Sequence, residues 1–396
     1  MDLRFTADEI EFRDELRGWL REVLPGIPPL PADHTDLVAR RAYDTAWQRT
    51  LFDAGYAGIN WPATFGGRGS TPTEHLIFLE ETERAGAPYV GMNFVGLLHA
   101  GPTLVAEASD EQRTTHLEPI LRGDHIWCQG FSEPGAGSDL ASLATRAVRD
   151  GDDYVVSGQK IWTSYAQVAD YCELLVRTDP DAPKHKGITW LILPMGLPGI
   201  DIRPIDTPLG TGEFAEMFLD DVRIPVVNRV GDENDGWRVA MVTFAFERGT
   251  AFISELLGSM RLLADLAQVA KTVTRSSGTA WDDAEIRREI GRIDAELDAL
   301  WSLTKRNVSQ AQRTGMVGPG GSVFKAYYAS VRKRMADVAE QVLGRAGLAI
   351  GESGGLSELD HVGERIYTLT LSIAAGTSEI QKNIIGERLL GLPKER

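Results

Sequence analysis

The stretch DGDDYVVSGQKIWTS, residues 150–164, decides the fold class, because its period differs from that of the chain on either side. From Tyr154 onward polar and apolar residues alternate, with β-branched and aromatic side chains frequent. The pairs Asp150-Gly151 and Ser157-Gly158 are hairpin-turn signals. Four more pieces share the texture: TRAVRDG (145–151), YCELLVRTD (171–179), GITWLILP (187–194) and AEMFLDDVRIP (215–225). A β domain is expected over residues 121–230.

Outside that window the period is helical. TADE at 6–9 is a capping box with Thr6 as cap and Glu9 at N3, opening the amphipathic IEFRDELRGWLREVL before Pro25. RRAYDTAWQRTLFDAG (40–55) and TPTEHLIFLEETERAG (71–86) carry helical spacing and end at Gly; the irregular NWPATFGGRGS between them is long enough to line a site. These place an N-terminal helical domain over residues 1–120. After residue 231 come GWRVAMVTFAFERGTAFISELLGSMRLLADLAQVAKTV (236–273), read as one long helix, then DDAEIRREIGRIDAELDALWSLTKRN, VFKAYYASVRKRMADVAEQVL and TSEIQKNIIGERLL. Four such segments suggest a helical bundle over 231–396, and the whole reads as an α+β multidomain chain.

Composition narrows the function. With 43% hydrophobic and 25% charged residues, and no apolar run approaching the roughly 18 residues of a membrane span, the chain reads as soluble. A net charge of −16 argues against a nucleic-acid or acidic-lipid surface. The acidic start MDLRFTADEIEFRDEL has neither a signal-peptide core nor a transit-peptide composition, so a cytoplasmic location is expected. Cys128 and Cys172 are too few for a disulfide framework and lack metal-ligand spacing; free thiols and no metal are expected. No G-x-G-x-x-G after a strand, Walker A, G-x-S-x-G or HExxH is present.

Three strings carry candidate chemistry. In CQGFSEPGAGSDL (128–140), Gly135 and Gly137 around Ala136 let backbone amides face a ligand while Ser132 and Ser138 add hydroxyls; the plainer reading is a polar loop between strands. In GQKIWTS (158–164), Trp162 beside Thr163 and Ser164 suits a flat heteroaromatic ring, or is a core or rim tryptophan. In VTFAFERGTAF (242–252), Glu247 and Arg248 sit side by side in an apolar helical run, as a reactive carboxylate with its neighbour or as an ion pair partnered elsewhere. His99 and His125, each alone in its neighbourhood, read as structural.

Together these strings resemble the acyl-CoA dehydrogenase family: WPATFGGRG, then SEPGAGSD followed by GQKIWTS, then DVRIPVVNRVGDENDGW, and GTSEIQKNIIGERLLGLPK at the end, in order and over almost the whole chain. The resemblance implies a helical domain, a β-barrel-like domain and a C-terminal four-helix bundle, with FAD as cofactor. It implies removal of two hydrogens from the α and β carbons of an acyl-CoA thioester, with a separate electron acceptor such as an electron-transfer flavoprotein. Matching positions assign flavin contacts to Phe131, Ser132, Trp162 and Ser164, a place on the CoA path to Ser138, and further cofactor contacts to Gln341, Gly344, Thr377 and Glu379.

The family needs a carboxylate base for the α-proton. Most members carry it just before the terminal Gly-Thr, where this chain reads IAAGTSEIQ and has Ala375. A minority carry it at the position matching Glu247. The resemblance thus implies Glu247 as base, its pKa lifted by desolvation above the roughly 4.3 of a free glutamate. Arg248 supports the site, and Ala375 contributes only its backbone amide, to the thioester oxygen. Of the family's Arg-x-x-Phe-Gly string, whose residues reach a neighbouring subunit's FAD, VTRSSGTAWDD offers Arg275 as a remnant but lacks the Phe, and Arg275 is left unassigned; EQVLGRAGLAIG keeps Gln341 and Gly344 but has Arg345 where a second Gly is usual. That mixture resembles the heteromeric branch, whose α2β2 tetramers act on steroid side-chain CoA thioesters. Homo-oligomers, a non-catalytic structural subunit, and an oxygen-using oxidase or monooxygenase stay open at this point.

Overall fold

The computed structural model describes residues 5–250, 252–314, 320–348 and 359–394; the side chains of 245–250 and 314 lie outside that description. The described chain forms two compact units, one of residues 17–71 and 86–247, the other of residues 1–16, 72–85 and 248–396. Among the described residues no helix is long and apolar enough to cross a membrane.

The N-terminal segment is helical as its spacing predicts: α1 (Ala7–Val23), α2 (Leu37–Asp53), α3 (Pro72–Arg84), α4 (Gly101–Glu107) and α5 (Asp110–Arg122). The Thr6–Glu9 capping box forms, the Thr6 N–H donating to Glu9 Oε2 at 2.7 Å and the Glu9 N–H to Thr6 Oγ1 at 3.3 Å. NWPATFGGRGS is packed on itself rather than open. Trp61 is buried, its indole N–H donates to the Leu97 carbonyl at 3.1 Å, and a Cβ on Gly67 would come within 2.4 Å of Trp61. Those glycines make room for an indole.

Eight strands follow: β1 (Trp127–Gly130), β2 (Arg146–Asp150), β3 (Asp153–Ser164), β4 (Tyr171–Arg177), β5 (Ile188–Pro194), β6 (Ile200–Pro204), β7 (Phe214–Pro225) and β8 (Arg229–Val230). They run β6-β7-β3-β2-β4-β5-β8 in one sheet, with β1 parallel to β4. Asp150-Gly151 opens the β2–β3 hairpin, Gly151 in the left-handed region at φ 62°. Ser157-Gly158, expected to turn the chain, lies inside β3. A Cβ on Gly158 would meet the Thr145 backbone and side chain at under 3 Å, so this glycine serves a close approach rather than a reversal. One face packs Val156, Leu174, Val176, Leu191, Met217 and Val222 around Cys128 and Cys172, which are buried free thiols.

The expected single helix over 236–273 is two, α6 (Gly236–Thr250) and α7 (Ile253–Thr272). Next come α8 (Ala284–Thr314), α9 (Gly320–Leu343), α10 (His361–Thr370), unforeseen in the sequence, and α11 (Ser378–Ile384), which runs into a π-helical turn over Ile385–Leu389. In their unit, Leu256, Leu263 and Leu266 of α7 interlock with Ile293, Leu297 and Leu300 of α8 and Tyr328, Val331 and Met335 of α9. α3 joins this helical unit through a small cluster of Leu76, Ile253 and Val308 and the Glu83–Arg261 ion pair at 3.0 Å.

Candidate active site

In the sheet-bearing unit the predicted residues gather at the end of β3 and the loop after β1. The Ile161 N–H donates to the Ser132 carbonyl at 3.0 Å and stitches loop to strand. Phe131 is buried, edge-on to Phe244 of α6 with ring centroids 6.0 Å apart. Beneath the loop lies an ion pair that the sequence reading missed. The fully buried Lys160 donates to Glu133 Oε1 at 2.8 Å and to the Phe131 carbonyl at 3.1 Å, while Glu133 also accepts from the Ala144 and Thr145 N–H groups at 2.7 and 2.8 Å. Burial alone raises the Glu133 carboxyl, but Lys160 and these donors hold it below the usual range; burial pulls the ammonium of Lys160 down. Both residues stand within the two quoted strings, and Lys160 shares the inward parity of Tyr154 and Val156. A cation at a core position is the signal that could have found the pair.

β3 slips register against β7 between Lys160 and Thr163. Trp162 takes up the slip with φ 61°, a left-handed conformation costing an L-residue roughly 1–2 kcal/mol. Inward parity moves from Lys160 to Thr163, which is fully buried, and the indole swings out to 56% exposure, edge-on to Phe214 at 6.0 Å. Without the bulge the pleat would send Trp162 inward. Ser164 Oγ donates to Glu213 Oε1 at 3.4 Å, and burial raises the Glu213 carboxyl above its ordinary value. Ser132 is half-buried and Ser138 exposed. Gly135 and Gly137 have φ outside the left-handed region, and a Cβ on either would meet nothing within 4 Å. Neither packing nor backbone requires these glycines, and an open backbone beside an exposed indole and two hydroxyls fits a flat heteroaromatic ligand with acceptor oxygens.

Glu247 and Arg248 belong to α6, but their side chains lie outside the described residues. The first turn of α6 is anchored where Gly236 packs on the Thr189–Trp190 backbone, and Thr243 and Thr103 share a buried hydroxyl–hydroxyl bond of 2.8 Å. Position 247 follows Thr243 and Phe244 by four and three residues in α6.

In the helical unit, Ala375 and Gly376 are two successive left-handed residues, φ 51° and 83°. Gln381, buried on α11, donates from Nε2 to the Ala375 carbonyl at 3.1 Å and the Gly376 carbonyl at 3.3 Å; Lys325 of α9 also donates to the Gly376 carbonyl. Thr377 caps α11, its Oγ1 accepting from the Ile380 N–H at 3.2 Å, and Glu379 is exposed on that helix's first turn. Gln341 and Gly344 stand at the end of α9, where Arg275 donates to the Gln341 carbonyl and, at 3.0 Å, to that of Val342. Arg275 thus caps a helix C-terminus within its own chain. His99 and His125 fall apart from these groups: His99 Nδ1 is 3.3 Å from Gln129 Nε2 and 3.6 Å from Glu173 Oε1, and His125 packs against Tyr171.

Comparison with known proteins shows the family. The acyl-CoA dehydrogenase N-terminal, middle and C-terminal domain models match residues 6–124, 128–222 and 234–390. Acyl-CoA dehydrogenase IpdE1 of Mycobacterium tuberculosis (strain ATCC 25618 / H37Rv) is 37% identical over 398 residues, covering 98% of this chain and 99% of its own. Acyl-CoA dehydrogenase FadE26 of the same organism is 35% identical over 408 residues, 100% and 99% covered. Among solved structures, the Tcur3481-Tcur3483 steroid ACAD superposes with a TM-score of 0.85 at 32% identity, and the ChsE4-ChsE5 complex from Mycobacterium tuberculosis with 0.83 at 32%, each covering the whole of both chains. With matching domains from end to end and relatives above 30% identity along its full length, this chain belongs to the acyl-CoA dehydrogenase family.

Proposed function

We propose that this protein dehydrogenates an acyl-CoA thioester to the trans-2-enoyl-CoA, with FAD as cofactor and Glu247 as the base. The observation that carries the reading is the β3 bulge: the chain accepts a left-handed tryptophan in order to hold an indole out of its core, beside the Phe131–Ser132 loop and two glycines that packing does not require. Trp162 shields the flat ring, Ser132 and Ser164 offer hydroxyls at its edge, and the loop through Ser138 carries the CoA. Further cofactor contacts fall to Thr377, Glu379, Gln341 and Gly344.

When bound, FAD supplies the two-electron acceptor that takes the β-hydrogen with its bonding pair. The chain's own work is the other half. Glu247 receives the α-proton as the α C–H bond breaks and its electrons form the double bond. The Ala375 N–H, for which the described residues provide no acceptor, donates to the thioester oxygen and lowers the cost of charge developing there. Ala375 has no ionisable group, which leaves the role of base to Glu247, and Arg248 steadies the site from the neighbouring helix position.

The substrate class we infer is a steroid side-chain CoA thioester, and the assembly an α2β2 complex with a second acyl-CoA dehydrogenase-like chain. Support comes from the neighbouring structures, one described as a steroid ACAD and both named as pairs of unlike chains. The helical unit leaves Leu369, Ile373, Leu390 and Leu392 exposed, side chains that a partner would cover. Glu247→Gln is the test. The variant should keep the flavin spectrum and lose substrate-driven bleaching by about 10²- to 10⁴-fold; bleaching at the parent rate would refute the assignment.

A further inference from the structure

The helical unit sets a buried cation against a backbone carbonyl. Lys325 is 4% exposed, and its ammonium donates to the Gly376 carbonyl, which Gln381 already satisfies from α11 at 3.3 Å. A buried ammonium costs several kcal/mol unless it is well bonded, and a neutral donor is already in place. What the charge adds is stiffness. A charge-assisted bond is roughly twice as strong as a neutral one. The turn needs the stiffness. Ala375 is a non-glycine residue in the left-handed region, and a Cβ on Gly376 would come within 2.7 Å of Gln381 Nε2. Lys333, about two turns further along α9, donates to Ser372 Oγ at 2.8 Å and ties down the start of the same turn.

We propose that Lys325 is a positioning residue for the reaction: clamped on the Gly376 carbonyl, it locks the Ala375–Gly376 pair so that the Ala375 N–H stays directed at the thioester oxygen. This rests on the thioester-dehydrogenation reading above. A merely structural lysine would support folding without caring whether the ligand has a carbonyl.

The test compares binding of a saturated acyl-CoA thioester with that of its thioether analogue, in which the carbonyl is a methylene, by calorimetry in the Glu247→Gln background so that nothing turns over. The background protein should prefer the thioester about tenfold, one neutral hydrogen bond's worth. Adding Lys325→Met should cut that preference to about twofold while thioether affinity and flavin content hold. In the otherwise wild-type enzyme, Lys325→Met should lower kcat about 10- to 100-fold with a smaller change in KM, and Lys325→Arg should recover part of kcat. Equal preference with and without Lys325 overturns the proposal. A background protein that does not distinguish thioester from thioether overturns instead the reading beneath it, so the two failures are separable. If Lys325→Met does not accumulate as folded protein, Lys325→Gln, which removes the charge but keeps a polar side chain at that position, carries the same expected and overturning results.

Discussion

Trp162 concentrates the tension between stability and function in one residue. Its φ of 61° is a conformation glycine adopts without strain, while its side chain stands more than half exposed. Relief of that strain is worth roughly 1–2 kcal/mol, from which the greater backbone freedom of glycine in the unfolded chain subtracts about 0.5–1. Trp162→Gly should therefore leave the thermal midpoint equal or slightly higher and weaken FAD binding about 3- to 10-fold, the worth of one aromatic face. Scanning calorimetry of the flavin-free protein together with a flavin titration checks both halves. A lower midpoint with unchanged flavin affinity would return the indole to a packing role.

Among elements, α7, α9 and α10 are joined by a polar seam as well as by leucines. Glu255 of α7 accepts from Tyr367 of α10 at 3.1 Å; Arg332 of α9 donates to Ser259 of α7 at 2.7 Å and to Glu364 of α10; Tyr328 of α9 shares a 2.8 Å bond with Ser259. Burial pushes the Glu255 carboxyl up to about 6, Tyr367 and Arg332 only partly opposing it and Glu364 adding to the rise. A carboxyl whose folded pKa exceeds its unfolded value of 4.5 binds its proton more tightly in the native state. That group costs nothing below pH 4.5, and its penalty grows between pH 4.5 and about 6 and is constant above. Glu255→Gln should accordingly gain about 1–2 kcal/mol of stability at pH 7.5 and nothing at pH 4.5, read from urea unfolding at the two values. A gain of the same size at both would show that the carboxyl does not carry a native-state proton.

For the molecule as a whole the question is what completes it. On the proposed α2β2 assembly, co-expression with a second acyl-CoA dehydrogenase-like chain should yield a flavin-bearing assembly with the light-scattering mass of four chains. Anaerobic addition of a steroidal acyl-CoA should bleach its flavin absorbance, and a short straight-chain acyl-CoA should bleach it less. The chain expressed alone should hold far less flavin. A flavin-replete homotetramer of this chain alone, bleached equally by short and steroidal thioesters, would overturn both the hetero-assembly and the substrate class.

Local signals determined much of this protein. Period marked the helices and strands, the Thr6–Glu9 box and Asp150-Gly151 named a helix start and a hairpin, and the ordered motifs identified the family, because each depends on residues adjacent in sequence. Ala375 where a glutamate is usual turned attention to Glu247 in the same way. The tertiary structure decided what depends on distant neighbours. Gly158 is required by Thr145 rather than by a turn, NWPATFGGRGS closes on Trp61, and the bulge that expels Trp162 arises from the pairing of β3 with β7. Lys160 reaches a carboxylate 27 residues away, and Lys325 a carbonyl 51 residues away. A cation in an apolar run announces that it must have a partner, but packing alone brings that partner within hydrogen-bond reach, and so only the folded chain could pair Lys160 with Glu133 and set Lys325 behind the turn at Ala375.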